Sequence, residues 1–195
     1  MLFPYGLSAP RRPFCALDRW IGPGWRLLEH HRIDVGAPPA AALDALTRIR
    51  LGELPAVTAL FALRRLRFSK DMTFREFFST APFVLLEEEP GREIVGGVLI
   101  PPSGGDGSRE PPASAVEFRK VLPSSLFAAL ATFRAEPVGG GSRLWTETWV
   151  RTRGTGPGFL FGAYWLAIGP WSAWIRRMFL RAARDRAERA APGAA

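Results

Sequence analysis

The stretch Leu144-Trp-Thr-Glu-Thr-Trp-Val-Arg151, followed by a long aromatic run from Phe159 to about Arg189, decides the fold. Side chains alternate between the two faces of a strand. One face of the predicted strand carries Leu144, Thr146, Thr148 and Val150, and the other carries Trp145, Glu147, Trp149 and Arg151. A strand followed by a long helix indicates an α+β protein in which the last helix lies across a sheet.

The segment between Gly154 and Ile175 has no charged residue and is close in length to a membrane-spanning helix. Glycines loosen this segment, Pro170 interrupts it, and arginines flank both ends, so no orientation signal is clear. An apolar stripe at helical spacing continues into the charged region through Phe161, Trp165, Ile168, Trp171, Ile175, Phe179 and Ala182. The pattern favours an amphipathic helix on a core, with a spanning helix and an interfacial membrane helix as the alternatives.

The residues upstream predict one strand and then short helices. Residues 25–35 alternate loosely and include β-branched and aromatic side chains, which favours a strand. Apolar spacing predicts helices at 40–50 and 56–68, the first preceded by the prolines of Gly36-Ala-Pro-Pro39. Thr73 and Glu76 form a capping-box pattern that predicts the start of a third helix.

A run of antiparallel strands follows. Strands are predicted at 83–89 and 92–100 around a Pro90-Gly91 turn, at 115–121, and at 127–138, with a turn at Gly139-Gly-Gly-Ser142. Gly96 and Gly97 within one of these strands indicate a bulge or a close approach of another group. The composition of residues 101–114 is that of a mobile loop.

A length of 195 residues with 47% apolar residues is that of one globular domain with a sizeable core. We expect an extended N-terminal lead-in at 1–23, a single domain at 24–190 and a flexible tail at 191–195.

The formal net charge of +8 comes almost wholly from arginines, because Lys70 and Lys120 are the only lysines. These arginines are dispersed and no nucleic-acid-binding motif accompanies them, so no nucleic-acid partner is expected. A weak attraction to anionic membrane surfaces is expected.

Cysteine and histidine are scarce in this sequence. The single cysteine, Cys15, excludes an internal disulfide and a multi-cysteine metal site, and the only histidines, His30 and His31, are adjacent. We therefore expect no metal and no cofactor. A single cysteine and an N-terminus without a secretory pattern lead us to expect a cytoplasmic protein.

Three segments carry a resemblance to a known superfamily. They are Phe83-Val-Leu-Leu-Glu-Glu-Glu-Pro-Gly-Arg-Glu-Ile-Val-Gly-Gly97, Thr146-Glu-Thr-Trp-Val150 and Tyr164-Trp-Leu-Ala-Ile-Gly-Pro-Trp-Ser-Ala-Trp-Ile-Arg176. With the order of elements, they resemble a bacterial group in the START-like helix-grip superfamily, also called SRPBCC or polyketide-cyclase-like, over residues 25–188. Trp149 stands where this group is expected to have an arginine that joins an ion pair.

The resemblance implies a curved antiparallel sheet wrapped around a long C-terminal helix, with short helices between the first and second strands. It also implies an apolar cavity between sheet and helix, without a cofactor. The candidate lining residues are Val95, Gly97, Phe133, Thr146, Thr148, Phe161, Trp165 and Ile168. The same residues would also suit a filled core, because cores and cavities use the same residue types.

The sequence leaves three functions open. The preferred one is binding of an apolar or lipid-like small molecule, the second is a cofactor-independent cyclase or aromatase, and the third is a membrane-peripheral or protein-docking module that uses Trp171 and Trp174. Ligand identity and oligomeric state stay open. The polar candidates for catalysis are Glu93, Glu117, Glu147, His30, His31 and Tyr164.

Most of these polar candidates also have a simpler interpretation. Glu147 is expected to pair with an arginine on the outer sheet surface, and Glu93, at the start of a strand, is expected to be solvated. Of the adjacent histidines, one is expected to point inward and the other outward. Glu117 is expected within a short strand.

Overall fold

The computed structural model describes residues 7, 13–63, 68–100 and 111–190. Its strands are β1 (Arg26–Val35), β2 (Val84–Glu89), β3 (Glu93–Ile100), β4 (Phe127–Val138) and β5 (Gly141–Thr152). Its helices are α1 (Pro39–Thr47), α2 (Pro55–Leu63), α3 (Phe74–Phe78), α4 (Ala115–Val121) and α5 (Thr155–Ala190). Short 3₁₀ segments occur at Ala16–Arg19, Leu51–Glu53 and Leu122–Ser124.

The five strands form one antiparallel sheet in the order β1-β5-β4-β3-β2. The hairpins β2–β3 and β4–β5 turn at Gly91 and Gly139, whose φ angles of 72° and 56° suit glycine. The helices α1, α2 and α3 follow β1, and α5 ends the described chain. This is the predicted α+β helix-grip arrangement, with a long C-terminal helix against a curved sheet and short helices between the first two strands.

One face of the sheet, here called the inner face, packs against α1, α3 and α5. Its core includes Ile94, Phe133 and Leu144 from the sheet, each at most 2% exposed. The ring of Phe74 in α3 lies 4.8 Å from the ring of Phe133 in β4 and 4.8 Å from that of Phe179 in α5. Aromatic contacts therefore join a short helix, the sheet and the C-terminal helix into one core.

The opposite face, the outer face, is covered in part by the segment at Ala16–Arg19 and by α4. Leu17, Val95 and Phe118 are fully buried there. The Glu93 carboxylate accepts hydrogen bonds from the backbone N–H of Ala16 at 2.7 Å and of Leu17 at 3.3 Å. This buried carboxylate fixes the N-terminal segment to the sheet.

Two predicted elements differ from the structure. Residues 115–121 form helix α4 rather than a strand, because Ser114 caps the helix by accepting from the N–H of Glu117 at 3.2 Å. Glu117 in the first turn, and the basic residues Arg119 and Lys120 in the last, also suit the helix dipole. The lead-in predicted as extended contains the 3₁₀ segment, whose burial against the outer face overrides its proline-rich context.

The paired glycines of β3 provide close approaches to aromatic rings. A Cβ at Gly97 would lie 2.7 Å from the Phe118 ring on the outer face, and one at Gly96 would overlap the Phe78 ring on the inner face. The register shift in this hairpin lies in β2, between Leu85 and Glu87. The sequence predicted either a bulge or a close approach at Gly96 and Gly97. The structure shows the close approach at these two residues, and the register shift lies in the neighbouring strand.

Parts of other predictions lie outside the described residues. These are residues 1–6 and 8–12 of the lead-in, 64–67 of the predicted helix at 56–68, 101–110 of the predicted loop, and the tail at 191–195. In the part of the chain that the structure describes, every helix is too short or too polar to cross a bilayer.

Candidate functional site

Helix α5 presents one side to the inner face of the sheet, as three contacts show. The ring of Phe161 lies 4.9 Å from that of Phe127 on β4. Farther along α5, Ser172 and Arg176 both donate to Glu29 of β1, at 2.7 and 2.8 Å. Residues at steps of three or four share a side of a helix, so this line of contacts defines the sheet-facing side of α5.

Two predicted site residues, Trp165 and Ile168, lie on this side between the contacts. The indole of Trp165 stacks on Phe161 with ring centroids 5.9 Å apart. It also lies against Gly169, where a Cβ would be 3.1 Å from its Nε1. Both Trp165 and Ile168 are only half-buried although they face the sheet side.

A polar network centred on Glu29 joins the sheet to α5. Oε1 of Glu29 accepts from Ser172 Oγ, Arg176 Nε and, at 3.0 Å, Thr148 Oγ1. Its other oxygen, Oε2, lies 3.5 Å from His31 Nε2. With the residue only 6% exposed, this carboxylate lies between sheet and helix rather than in solvent.

Arg176 is the cationic partner in this network. Its Nη1 donates to Thr146 Oγ1 at 2.6 Å, and its guanidinium lies 5.4 Å from the centre of the Phe133 ring. Burial lowers the pKa of Arg176, and the charge of Glu29 partly offsets this effect. An arginine stays protonated under such conditions, so the helix and the sheet are joined by a true ion pair.

The pKa of Glu29 results from opposing effects. Burial raises it, whereas the neighbouring His31 imidazole, the charge of Arg176, and hydrogen bonds from Ser172 and Thr148 lower it, with a net value of about 2. A carboxyl group with this pKa is ionised throughout the neutral range, whereas a general acid or base works best when its pKa lies near the operating pH. Glu29 therefore has the properties of an anchor for Arg176.

A β-bulge in β1 places Glu29 on the inner face. The register with β5 shifts between Leu27, opposite Trp149, and Glu29, opposite Thr148. Trp149 belongs to the outer face and Thr148 to the inner one, so the extra residue Leu28 reverses the alternation of the strand.

Inward-facing residues near the N-terminal half of α5 are incompletely covered. On the sheet, Val98, Ala129 and Ala131 occupy inner-face positions by alternation and are half-buried, and Ile100 is 43% exposed. On the helix, Phe161 is half-buried like Trp165 and Ile168. The same side of α5 is tightly packed one turn beyond Arg176, where Phe179 and Leu180 are each 2% exposed.

The predicted site residues divide between the two faces of the sheet. Six lie on the inner side with α5: Phe133, Thr146, Thr148, Phe161, Trp165 and Ile168. Val95 and Gly97 instead belong to the outer face, since the even-numbered residues of β3 are the inward ones and Gly97 faces Phe118. The candidate site therefore excludes these two residues.

The predicted catalytic candidates are also distributed over the molecule. His31 lies opposite Thr146 on the inner face and His30 opposite Glu147 on the outer face, as expected for adjacent strand residues. Glu147 is fully buried and accepts from the Trp149 indole Nε1 at 2.8 Å. The indole N–H of Trp149, an uncharged donor, thus hydrogen-bonds to this buried carboxylate.

The remaining polar candidates lie away from the inner side of α5. Glu93 is 2% exposed rather than solvated, and it also accepts from Thr132 Oγ1 at 2.6 Å. Glu117 is an exposed helix-capping residue that accepts from the N–H of Ala113. Tyr164 is 44% exposed on α5. Of all the predicted polar candidates, His31 alone therefore contacts the network around Glu29.

Sequence reasoning missed Glu29, Ser172 and Arg176 as site residues. The signal for two of them was present, because residues 168, 172 and 176 have the spacing of one helical side. A serine and an arginine that continue an inward stripe require a buried polar partner. The bulge that supplies this partner has no comparable signal in the sequence.

A concavity with a volume of about 500 Å³ lies on the outer face and is open to solvent. It is lined by Trp20, Ala115, Val116, Arg119 and Lys120. The guanidinium of Arg119 lies 4.2 Å from the centre of the Trp20 ring. A cation already covers the aromatic surface of this concavity, so the inner side of α5 is the stronger candidate site.

Comparisons with known proteins return solved structures only. No protein-family model and no curated protein matches the sequence. Among solved structures, the Mll3558 protein from Rhizobium loti is 15% identical over 83% of this chain and 96% of that one, with a TM-score of 0.40. Ara h 8.0201 is 10% identical over 84% and 98%, with a TM-score of 0.35.

An uncharacterised protein from Rhizobium leguminosarum is 13% identical over 85% of this chain and 98% of that one, with a TM-score of 0.31. Likenesses at these scores carry no inference about the site, which rests on the geometry described above.

Proposed function

We propose that this protein binds an apolar or lipid-like small molecule between the inner face of the sheet and the N-terminal half of α5. The observation that carries the proposal is the partial exposure of Phe161, Trp165 and Ile168, although they lie on the sheet-facing side of the helix. Ligand sites are concave and mostly apolar, with few polar groups. A bound molecule would complete the packing that these side chains lack.

The sheet beneath this half of the helix supports the same proposal. Ala129 and Ala131 of β4 are small and half-buried at inner-face positions, whereas Phe133, the next inner-face residue of that strand, is 2% exposed. Small side chains below and aromatic side chains above would accommodate a flat or elongated apolar group. We infer that Phe133 closes the inner end of this space.

The network around Glu29 would form the polar end of the site. Thr148 and Ser172 orient the carboxylate, and Arg176 neutralises it, so the network has little net charge. A ligand with an apolar body and one neutral hydrogen-bonding group, such as a hydroxyl or a carbonyl, suits this end better than a second anion. Membership of the START-like superfamily is part of the same proposal and rests on the sequence resemblance.

The cyclase-type alternative lacks an equivalent observation. It requires a buried acid or base with a pKa near neutrality, and the pKa of Glu29 is held at about 2. The distinguishing residue is His31, which lies beside Glu29. Catalysis through this site would therefore depend on the His31 imidazole.

Native mass spectrometry of the purified protein, before and after denaturation, tests the binding proposal. We expect a retained apolar molecule that is lost on unfolding, or uptake of an uncharged dansyl-labelled fatty alcohol by the empty protein. Ala131→Leu should fill the space above β4 and weaken probe uptake by about tenfold or more. The matched control is Ala163→Leu, which adds the same side chain at an exposed position of α5.

Thermal unfolding of both variants establishes that each is folded before binding is compared. Equal probe uptake by Ala131→Leu and Ala163→Leu would contradict the proposed location. Absence of both a retained molecule and probe uptake in the unsubstituted protein would contradict ligand binding itself.

A further inference from the structure

The solvent side of α5 carries a continuous apolar surface, here called the aromatic face. Its large side chains are Phe159, Leu160, Tyr164, Leu166, Trp171 and Trp174, which are 75%, 71%, 44%, 60%, 52% and 37% exposed. Monomeric proteins rarely expose large contiguous apolar surfaces without a function. Trp171 was expected on the buried stripe, and its exposure corrects that prediction.

The aromatic face ends in basic residues on the same side of the helix. Positions 163, 167, 170, 174, 177 and 181 follow one another at steps of three or four, and all six are exposed. The first four are Ala163, Ala167, Pro170 and Trp174, and the last two are Arg177 and Arg181. One row along α5 therefore changes from apolar to cationic.

We propose that this row and the aromatic face dock α5 flat onto an anionic lipid bilayer surface. Tryptophan and tyrosine favour the interface between hydrocarbon and water, and arginines beside them attract anionic headgroups. No charged residue interrupts the face between Gly154 and Ile175, and the whole chain carries a net charge of +8. The occupant is thus identified by its chemistry: an apolar layer covered by negative charge.

The length of the face requires docking on the bilayer instead of insertion across it. From Phe159 to Trp174 the helix is about 24 Å long at 1.5 Å per residue, shorter than the hydrocarbon core of a bilayer. The opposite side of the same segment faces the sheet through Phe161 and Trp165. The helix therefore has one side for the membrane, as expected of an interfacial amphipathic helix.

The arginines at the end of the aromatic face disfavour a parallel pairing of two copies of the chain. Two copies paired through this face in parallel would bring Arg177 and Arg181 against their counterparts, and like charges repel. An acidic groove on another protein is a separate hypothesis. The tryptophans and the tyrosine of the aromatic face give it no specific support, because these residue types are typical of membrane interfaces. Neither hypothesis depends on ligand binding at the opposite side of α5.

Vesicle flotation tests the proposal, with vesicles of phosphatidylcholine alone and of phosphatidylcholine mixed with phosphatidylglycerol. We expect the protein to float with the anionic vesicles and to bind the neutral ones about tenfold less. The double variants Trp171→Ser with Trp174→Ser, and Arg177→Glu with Arg181→Glu, should each reduce binding to anionic vesicles by about tenfold or more.

Matched controls lie elsewhere on the surface. Phe14→Ser removes another aromatic side chain that is 72% exposed, and Arg92→Glu reverses another exposed arginine. Both controls should bind anionic vesicles like the unsubstituted protein. Losses of equal size in the controls, or equal binding to neutral and anionic vesicles, would overturn the proposal.

Two further results would also overturn it. One is no flotation at any lipid composition by protein that is folded by circular dichroism. The other is a concentration-dependent dimer that Trp171→Ser with Trp174→Ser abolishes, since a second copy would then be the occupant of the aromatic face.

Discussion

The two halves of α5 belong to one continuous helix, yet they are packed very differently. Beyond Arg176, Phe179, Leu180, Ala183 and Ala187 are each at most 2% exposed. Before it, Phe161, Trp165 and Ile168 are half-buried although they face the same sheet. The more aromatic half is thus the less buried one, so composition alone does not decide which part of a helix enters the core.

The difference arises from what packs beside each half. Helix α1 contacts α5, and Phe74 of α3 meets Phe179, so the C-terminal half is enclosed by two helices and the sheet. The N-terminal half contacts Phe127 of β4 at its start. The Glu29–Arg176 ion pair marks the boundary, since it fixes α5 to β1 between the two halves.

Identical substitutions in the two halves test this comparison most strongly. Phe179→Ala removes a fully buried ring, so we expect the free energy of unfolding to fall by about 4 kcal/mol. Phe161→Ala removes a half-buried ring and should cost about 1 kcal/mol. Urea denaturation with both variants measures the difference, and equal losses would mean that the N-terminal half is packed like the core.

Acidification tests the boundary between the halves. The pKa of Glu29 is about 2 in the folded protein against an ordinary 4.5, so the folded state holds this proton less tightly than the unfolded chain. The stabilisation is therefore complete above about pH 4.5 and is lost as the pH falls towards 2. At 1.36 kcal/mol per pKa unit, the loss over this window is about 3 kcal/mol.

Other carboxylates contribute to acid unfolding, since the pKa values of Asp34 and Glu76 are also lowered, by hydrogen bonds from Arg143 and from the Thr73 backbone respectively. Glu29→Gln isolates the contribution of Glu29. This variant should be less stable near neutrality, because Arg176 loses its counter-charge, but its stability should fall less between pH 5 and pH 2. An unchanged pH dependence would show that Glu29 is not the group held ionised.

The inner and outer faces of β5 were predictable from sequence, and so was the long final helix. The alternation from Leu144 to Arg151 assigns each residue to one of the two faces, because a strand with one register has only two faces. The capping box at Thr73 and Glu76 was also confirmed, with Glu76 Oε2 accepting from the Thr73 N–H at 2.7 Å. Local patterns with a direct geometric meaning therefore gave correct predictions.

The incorrect predictions have physical causes that are not visible in a local sequence pattern. Helix α4 was predicted as a strand because seven residues with mixed polarity fit both periods, and only Ser114 signals the cap. Trp171 was assigned to the buried stripe because residues 159–175 are apolar on every side, so periodicity could not select a face. Glu29 was missed because a bulge changes its face by one residue.

A pair of glycine substitutions gives the smallest expected effects and the finest test of the comparison. A Cβ at Gly96 would overlap the buried ring of Phe78, so Gly96→Ala should destabilise the protein by about 2 kcal/mol. A Cβ at Gly169 would meet only the half-buried Trp165 indole at 3.1 Å, and alanine favours a helix over glycine by about 1 kcal/mol.

Gly169→Ala should therefore leave stability unchanged or raise it by about 0.5 kcal/mol, because the Trp165 ring is only half-buried and the helix gains a better former. Urea midpoints of the two variants, measured beside the unsubstituted protein, check both values. A loss at Gly169 as large as that at Gly96 would mean that Trp165 is held as rigidly as Phe78. In that case the space assigned to a ligand beneath the N-terminal half of α5 would already be filled by the protein itself.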